Sequence, residues 1–599
     1  MADSYVSLRD LRFLLKQVHR VEDVVAHDYY SHNDEETMDM MLDAAKQLAD
    51  SYLFPHYESM DRNEPELVGD TISVHESVHP FIRAMADGGW IGAVAPMSVS
   101  GMQIPQMLGV CAGFIFSAAN NGALGFTGLT TAATNLLVEF GSQEQKDTYL
   151  PKMFGGEWQG TMALTEPQAG SSLSDVEAKA IPQPDGTYKI EGQKIFISAG
   201  DYEGVENVIH LLLGRIEGAP AGTKGISLFI VPKFRDENGQ LVHNDITTAG
   251  VYHKLGQKGT PATHLMYGDK GNCVGYLLGE ENRGLSYMFK MMNEARLLVG
   301  LGGAAIASAA YHASLQYANE RPQGRRLNNR NLSLPQTLIK NHPDIQRMLL
   351  LQQSVVEGSL SLVLECAKYA DMATVSEGEE KERYEMLLDL LTPIAKSFPS
   401  EMGITSVSNG LQILGGAGYC KDFPLENLFR DIRIYPIYEG TTGIQAMDLL
   451  GRKVTMKAGK AVQLYMKEVQ ETIDAVESQG SFGKYAAILK EKLKKIQEVS
   501  MHLAGFAMKG DIERFLMDAT LYLEFFGIVA IAWQWLKQGH VAQLELENST
   551  HSTEERLYLE GKIRAMKYYF HYEVPKTLGL IERLMDDEVL TILPEPEKA

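Results

Sequence analysis

A β-patterned segment at residues 160–275 interrupts a chain whose remaining pattern is helical. Apolar residues alternate with other residues in parts of 188–197 and through 226–230, which is the period of a β-strand. Turn sequences stand nearby, Pro-Asp-Gly at 184–186 and Asp-Glu-Asn-Gly at 236–239, and the second predicts a hairpin loop. This order of textures is not the alternation of strands and helices that builds a doubly wound sheet. The chain is therefore predicted to be mainly α-helical with a central β domain.

The helical sequence on either side of this segment has distinct parts. Residues 1–35 carry a short apolar helical stripe that runs from Leu11 to Val18. Residues 300–310 are almost all Gly and Ala, which allows neighbouring helices to approach closely. These changes of texture predict five segments: an N-terminal extension at 1–35, an α-helical domain at 36–159, a β domain at 160–278, a helical domain at 279–455 and an additional helical domain at 456–599.

Composition and charge narrow the class of protein. A net charge of −22 argues against a nucleic-acid-binding protein, which usually presents a basic face, and residues 452–599 are near neutral with 20 basic and 22 acidic side chains. The four cysteines form no CxxC pair and fit a reduced, intracellular protein. The N-terminus lacks the basic start and apolar run of a signal peptide, and Pro and Gly break up the uncharged stretch 88–138. We therefore expect a cytoplasmic protein without a transmembrane segment.

One zinc-like motif, His75-Glu-Ser-Val-His79, is rejected on its context. Zinc binding by HExxH needs both histidines on one face of a helix. Pro80 follows directly, which disfavours the α conformation at His79 and suits the first position of a new helix. No metal site is therefore predicted.

Three short segments carry candidate chemistry. Residues 162–172 (MALTEPQAGSS) combine hydroxyls, glycine and backbone amides that could bind an anion or a planar heterocycle. Residues 192–198 (GQKIFIS) form a strand that ends in an aromatic residue and a hydroxyl. In 430–445 (RDIRIYPIYEGTTGIQ), Glu439 is a single acid between Tyr438 and Gly440 amid apolar residues, where a raised pKa would suit proton abstraction. Taken singly, each has an ordinary structural explanation: a loop, a strand and a solvated carboxylate.

Together, and in this order and spacing, the three segments resemble the acyl-CoA dehydrogenase family over about residues 36–455. Further matching motifs are Leu255-Gly-Gln-Lys, Asn293-Glu-Ala-Arg296, Glu320-Arg321 and Gln412-Ile-Leu-Gly-Gly416-Ala-Gly. The leading YVSLRDLRFLL and the helical addition after 455 resemble a long bacterial branch of the family. The resemblance implies an α-helical domain, a β-barrel domain and a four-helix domain, with FAD bound between them, plus the C-terminal helical addition.

The resemblance also implies which residues would hold FAD. Thr165 would meet the flavin ring, Ser171 the pyrophosphate, and Arg321 the pyrophosphate of FAD in a neighbouring subunit, where a guanidinium fork suits phosphate. The full implied set is Met162, Leu164, Thr165, Ser171, Phe196, Ser198, Arg321, Gln412, Gly416 and Thr441. The chain departs from the family pattern at four positions: Phe196 stands for a tryptophan, Ser198 for a threonine, Gly324 for a phenylalanine and Gly443 for a glutamine.

Glu439 matches the family's catalytic base, which removes the α-proton of an acyl-CoA thioester. Arg296, Tyr438 and Gly440 match substrate-site positions, and Arg296 would orient either the substrate or the Glu439 loop. Some relatives carry the base immediately before the arginine that Arg296 matches. Here that residue is Ala295, and Glu294 is one position away, about 100° around a helix. Both observations favour Glu439.

Several functions remain open at this point. The first is an FAD-dependent acyl-CoA dehydrogenase that produces the trans-2-enoyl-CoA in fatty acid β-oxidation and passes electrons to electron-transfer flavoprotein. An acyl-CoA oxidase that uses oxygen would share the fold. A nucleic-acid-binding family member would need the basic face that the chain lacks. A catalytically inactive scaffold fits poorly with an intact Glu439 and loop 165–171. By analogy with the branch, we expect a homodimer.

Overall fold

The computed structural model describes residues 4–329, 331–548 and 550–593, apart from the side chains of 289–292. The chain forms two compact units, one of Glu36–Ala295 and one of Met1–Glu35 with Arg296–Ala599. The predicted class is confirmed, because the protein is mostly helical with a strand-barrel domain.

The unit Glu36–Ala295 combines helices with all of the named strands in the described residues. Its helices are α3 Glu35–Leu48, α4 Tyr57–Arg62, α5 Val78–Asp87, α6 Gln106–Asn120, α7 Leu124–Phe140 and α8 Gln143–Phe154. Its strands are β1 Glu66–Val68, β2 Thr71–Ser73, β3 Trp158–Ala163, β4 Lys179–Pro182, β5 Tyr188–Ser198, β6 Asn207–Ile216, β7 Ile226–Pro232, β8 Phe234–Glu237, β9 Gln240–His243, β10 Ile246–Val251, β11 Ala262–Tyr267 and β12 Val274–Leu277.

Eight of these strands form one sheet in the order β10-β11-β5-β12-β7-β6-β3, with β4 paired to β5 and β6. The pairs β3–β6 and β4–β6 are parallel and the others are antiparallel. The separate hairpin β8–β9 turns at the predicted loop, where the Gly239 N–H donates to the Asp236 side chain at 2.6 Å. The predicted β segment is thus a single sheet with one added hairpin.

Both faces of the central strands are buried. On β6, Leu211 packs with the helices α7 and α8, whereas Leu212 packs in a second cluster with Phe229 and Leu265. Because both faces of the pleat are covered, β6 and β7 are buried along almost their whole length. The alternation seen in the sequence therefore marks only one of the two apolar faces.

The secondary-structure elements of the other unit are helices in its described residues, apart from one isolated bridge between Pro322 and Leu338. A long helix, α9 (Gly284–Glu320), starts in the first unit and continues into this one. The remaining helices are α1 Leu8–Arg12, α2 Glu22–Val25, α10 Pro343–Val375, α11 Gly378–Leu414, α12 Leu425–Ile432, α13 Thr442–Asp448, α14 Lys460–Gln479, α15 Gly483–Met508, α16 Ile512–Leu516, α17 Ala519–Asn548, α18 Thr553–Tyr568 and α19 Thr577–Leu584.

The Gly/Ala-rich part of α9 allows close approach, as the sequence predicted. A Cβ added at Gly300 would stand 1.9 Å from the carbonyl oxygen of Ala395 on α11. A Cβ at Gly303 would stand 3.0 Å from the carbonyl oxygen of Pro399, one helical turn further on. Any larger residue at Gly300 would push the two helix backbones apart.

The N-terminal extension packs against the C-terminal helices of the same unit. Lys562 on α18 is buried and forms ion pairs with Asp10 at 2.8 Å and with Glu357 on α10 at 2.9 Å. The Tyr558 hydroxyl donates to Asp10 at 2.7 Å. The predicted stripe is also buried, from Leu11 to Val18. The extension is therefore part of the core of this unit.

Two helical segments are long and apolar enough to cross a membrane by length and composition, Gly284–Glu320 and Ile512–Asn548. In the most apolar window of each, 78% and 67% of the residues are buried inside the protein. Such burial is typical of the core helices of a folded domain, which pass the same test.

The HExxH motif does not lie on one helix. Helix α5 begins at Val78, two residues earlier than Pro80 predicts, so His79 is helical and His75 is not. The His75 ring nitrogen Nδ1 instead lies 2.9 Å from the Ser77 hydroxyl.

Candidate active site

The loop between α12 and α13 places Glu439 in a strained backbone conformation. Glu439 has φ = 54°, and Gly440 follows with φ = 88°. A non-glycine residue in this left-handed region costs about 1–3 kcal/mol and persists only where neighbouring structure holds it. A side chain at Gly440 would be strained by this positive φ, and an added Cβ would also displace the end of the Gln445 side chain, whose Nε2 lies 2.5 Å away. The candidate base is thus held in one unusual backbone conformation.

Side chains from α11 and α13 hold this loop through its carbonyl groups. The buried Lys396 donates from Nζ to the Tyr435 carbonyl at 2.6 Å and to the Gly440 carbonyl at 2.9 Å. Gln445 donates from Nε2 to the Glu439 carbonyl at 3.1 Å. The backbone on both sides of the Glu439 carboxyl is therefore fixed by donors from outside the loop.

The surroundings of Glu439 raise the pKa of its carboxyl group. Burial is the largest cause, and the positive charges of Arg296 and Lys396 act in the opposite direction. A carboxyl with a raised pKa is a stronger proton acceptor than an ordinary surface carboxylate. The residue as a whole is half-buried rather than fully enclosed. Glu439 thus has the properties that the sequence predicted for a base.

Arg296 is buried, only 5% exposed, and pairs with Asp448 on α13 at 2.9 Å. Arg452 approaches the other carboxylate oxygen of Asp448 at 3.3 Å. This buried pair joins Arg296 to the helix that follows the Glu439 loop, whereas its two predicted roles, orienting the substrate or orienting the loop, stay predictions. The alternative base, Glu294, is exposed and accepts a hydrogen bond from Asn135 at 3.0 Å.

The predicted flavin loop follows β3 in the unit Glu36–Ala295 and is anchored by a buried ion pair. Lys194 on β5 is fully buried and donates to Glu166 at 2.7 Å and to the carbonyl of Leu164 at 2.9 Å. Burial lowers the pKa of Lys194 to about 8, with Glu166 opposing that shift. The Thr165 carbonyl accepts from the Ile195 N–H at 2.9 Å. The backbone around Thr165 is therefore fixed to the strand that carries the predicted aromatic residue.

Phe196 lies in a β-bulge at the end of that strand. On β5, Ile195 and Phe196 together face the single residue His264 of β11. Phe196 has φ = 57°, and its ring is 57% exposed and lies 4.5 Å from the ring of Tyr252. An exposed aromatic ring fixed by a bulge is a surface on which a planar heterocycle can stack.

The structure groups the remaining predicted residues within each unit. In Glu36–Ala295, Met162 lies on β3 and the Ser198 carbonyl accepts from the Thr161 hydroxyl of that strand at 2.7 Å, while Ser171 is exposed. In the other unit, Tyr438, Gly440 and Thr441 flank Glu439. Exposed residues stand at two helix ends of that unit: Arg321 after α9, Gln412 at the end of α11 and Gly416 just beyond it.

Sequence reasoning missed three residues that hold the predicted loops: Lys194, Lys396 and Gln445. Lys396 had a detectable signal, since it is the one charged residue in the apolar run 390–399. Lys194 and Gln445 had none, because each stands among other polar residues and its partners, the Glu166 carboxylate for Lys194 and the Glu439 carbonyl for Gln445, are fixed only by the fold.

Comparison with known families identifies the fold. Residues 35–157, 161–269 and 282–455 match the N-terminal, middle and C-terminal domains described for acyl-CoA dehydrogenases. Residues 465–592 match a domain described as "Acetyl-CoA dehydrogenase C-terminal like". The chain belongs to the acyl-CoA dehydrogenases, a family of FAD-dependent enzymes.

Relatives of similar length and solved structures agree with this assignment. The chain is 34% identical over 547 residues to 3-methylmercaptopropionyl-CoA dehydrogenase of Ruegeria pomeroyi, covering 90% of this chain and 91% of the relative. It is 32% identical over 601 residues to the broad-specificity linear acyl-CoA dehydrogenase FadE5 of Mycobacterium tuberculosis, covering 97% and 98%. The acyl-CoA dehydrogenase of Bacillus anthracis, solved with FAD, superposes with a TM-score of 0.72 at 20% identity, covering 93% of each chain.

The residues of this chain fit the flavin that the family uses. Phe196 supplies an exposed aromatic face, and the exposed Ser171 hydroxyl and Arg321 guanidinium supply donors suited to phosphate. Around Gly416 there is open space, since an added Cβ would meet nothing within 4 Å. Of the departures from the family pattern, Phe196 keeps the aromatic face of a tryptophan but lacks its indole N–H, and Ser198 keeps the hydroxyl of a threonine.

Proposed function

We propose that this enzyme oxidises an acyl-CoA thioester to the trans-2-enoyl-CoA, with Glu439 removing the α-proton. The observation that carries the proposal is Glu439 itself, a carboxyl with a raised pKa on a strained, clamped loop. The Glu439 backbone N–H forms no backbone hydrogen bond within the described residues, and in this proposal it polarises the thioester carbonyl and so stabilises enolate-like charge. Bound FAD would supply the hydride acceptor that this oxidation needs.

The substrate in this proposal is a straight-chain acyl-CoA of short or medium length. Relatives of similar length include FadE5, whose name specifies linear acyl chains, and a butyryl-CoA dehydrogenase of Syntrophomonas wolfei that is 30% identical over 594 residues. The acceptor in this proposal is electron-transfer flavoprotein, and the enzyme acts as a cytoplasmic homodimer in β-oxidation. The alternative acceptor is oxygen, as in an acyl-CoA oxidase.

An anaerobic reduction experiment tests the proposed reaction. FAD-loaded enzyme is mixed with butyryl-, octanoyl- or palmitoyl-CoA and the flavin absorbance is followed, for wild type and Glu439→Gln. We expect bleaching by butyryl- or octanoyl-CoA rather than by palmitoyl-CoA, and a loss of about 100- to 10,000-fold in rate in the variant, which is the contribution of a general base. An unchanged rate in Glu439→Gln would exclude this residue as the base, and Glu294→Gln would be measured next.

Reoxidation of the reduced enzyme separates the two acceptors. Rapid reoxidation by electron-transfer flavoprotein and slow reoxidation by air would support the dehydrogenase. The reverse pattern, with hydrogen peroxide formed in proportion to substrate, would support the oxidase. Sedimentation of the FAD-loaded protein tests the proposed homodimer.

A further inference from the structure

The reaction proposed above uses Glu439 but gives no role to the buried lysine beside it. Lys396 lies in the middle of α11 and is 0% exposed. Among the described residues, its hydrogen bonds go only to backbone carbonyls, those of Tyr435 and Gly440. Burying an ammonium group without a directly bonded carboxylate is costly, so a lysine at this place needs a reason beyond packing.

Helix α9 packs closely against α11 and against Tyr435 in the region of Lys396. A Cβ at Gly300 would stand 3.2 Å from Cα of Lys396, which places α9 directly against this turn of α11. A Cβ at Gly302 would stand 2.4 Å from the hydroxyl of Tyr435, whose carbonyl is one acceptor of the lysine. The small residues of α9 therefore set the room in which Lys396 and the Glu439 loop meet.

The two carbonyls that Lys396 binds stand on either side of Glu439 in the chain. One belongs to Tyr435, four residues before it, and the other to Gly440, the next residue. One ammonium therefore closes the loop that carries the carboxyl, in the region where the backbone has the positive φ values of Glu439 and Gly440. Strained conformations of this kind need such outside restraint.

We propose that Lys396 is a positioning residue, whose buried ammonium bridges the carbonyls of Tyr435 and Gly440 and thereby fixes the Glu439 carboxyl in its reactive position. The proposal rests on the proposed function of Glu439. Gln445 is a neutral second restraint, because its amide donates to the Glu439 and Gly440 carbonyls at 3.1 and 3.4 Å. Lys396 differs from it by adding a positive charge near the base.

Charge and restraint can be separated with two variants. Lys396→Met removes both, whereas Gln445→Leu removes hydrogen bonds and leaves the charge. We expect each variant to reduce the rate of anaerobic flavin reduction by butyryl-CoA, by about 100-fold for Lys396→Met, because a misplacement of about 1 Å costs that much. The substrate concentration for half-maximal rate should change little. Ser397→Ala, a buried neighbour on α11, is the control and should match wild type.

The pH profile distinguishes positioning of the base from a general loss of structure. Lys396 lowers the pKa of Glu439, so Lys396→Met should move the acid limb of the rate profile to higher pH. Gln445→Leu should leave that limb in place. The other charges that act on Lys396, those of Arg296 and Glu401, are the same in both variants. Lys396→Gln, which keeps one donor without the charge, repeats the test if Lys396→Met does not fold.

A readout independent of catalysis is amide hydrogen exchange of residues 435–445. We expect faster exchange in Lys396→Met and wild-type exchange in Ser397→Ala. Wild-type rate, pH profile and exchange in a folded Lys396 variant would overturn the inference. An active Glu439→Gln variant would contradict the proposed function. An inactive Glu439→Gln variant together with wild-type behaviour of the Lys396 variants would leave the proposed function standing and contradict only the role of Lys396.

Discussion

Removing the ammonium of Lys194 should destabilise the unit Glu36–Ala295 and loosen the predicted flavin loop. In wild type, Lys194 donates to Glu166, Leu164 and Leu213 at 2.7, 2.9 and 2.7 Å. Lys194→Met leaves a buried carboxylate without its cation, a loss of about 3–5 kcal/mol in free energy of unfolding. Glu166 retains the N–H groups of Glu177 and Ala178 at 2.7 and 3.1 Å, so we expect a value near 3 kcal/mol.

A double variant tests whether the unpaired Glu166 carboxylate causes this loss of stability. Adding Glu166→Gln to Lys194→Met removes the unpaired charge and should recover about 1–2 kcal/mol, a coupling expected of residues in contact. Lys179→Met, on an exposed site of β4, is the matched control. Because two units need not unfold together, thermal unfolding should be followed by pulsed hydrogen exchange of peptides within 158–232. A loss below 1 kcal/mol, or a double variant no more stable than the single one, would refute this reasoning.

Three further predictions concern pH, the strained loop and the chain ends. Burial lowers the pKa of Lys194 to about 8 from its ordinary value of 10.5, so between these two pH values the unfolded chain binds more protons than the folded one. The free energy of unfolding of wild type, measured by denaturation relative to Lys194→Met, should therefore rise between about pH 8 and 10.5. Gly440→Ala places a Cβ 2.5 Å from Nε2 of Gln445 and should cut the flavin-reduction rate at least 10-fold at unchanged far-ultraviolet circular dichroism. Lys562→Met leaves the buried Glu357 and the half-buried Asp10 without their shared cation and should cost about 3–5 kcal/mol in free energy of unfolding, measured by denaturation, with new proteolytic cleavage in the N-terminal extension.

The features that could be predicted are those with a local signature. Strand alternation located the β segment, and the Glu439 motif located the candidate base. Phe196 was predicted as an aromatic partner for a cofactor, but its bulge and its φ of 57° were not, because nothing in a Phe favours a left-handed backbone. Glu439 is the same case. At both positions tertiary contacts override the preference of the residue, as happens most often at functional sites.

The restraints behind these residues could not be predicted, because they join elements far apart in the sequence. The Lys396 ammonium reaches a carbonyl 44 residues away, and the Lys194 ammonium reaches a carboxylate 28 residues away. Periodicity reports which face of a helix or strand is apolar, not which lone polar group a buried side chain will meet. The same limit applies to the extension, whose apolar stripe was predicted and whose partner Lys562 was not.

The bond between Asp10 and Tyr558 joins residues 548 positions apart and has a consequence for biosynthesis. On the ribosome, Glu36–Ala295 can complete its fold while the rest of the chain is still being made, because all its residues have emerged. The apolar stripe of the N-terminal extension packs against helices α10, α17 and α18, so its cover is complete only when α18 leaves the exit tunnel. Nascent chains that stall before α18 should therefore expose apolar side chains of this stripe, and we expect chaperones to bind them during translation.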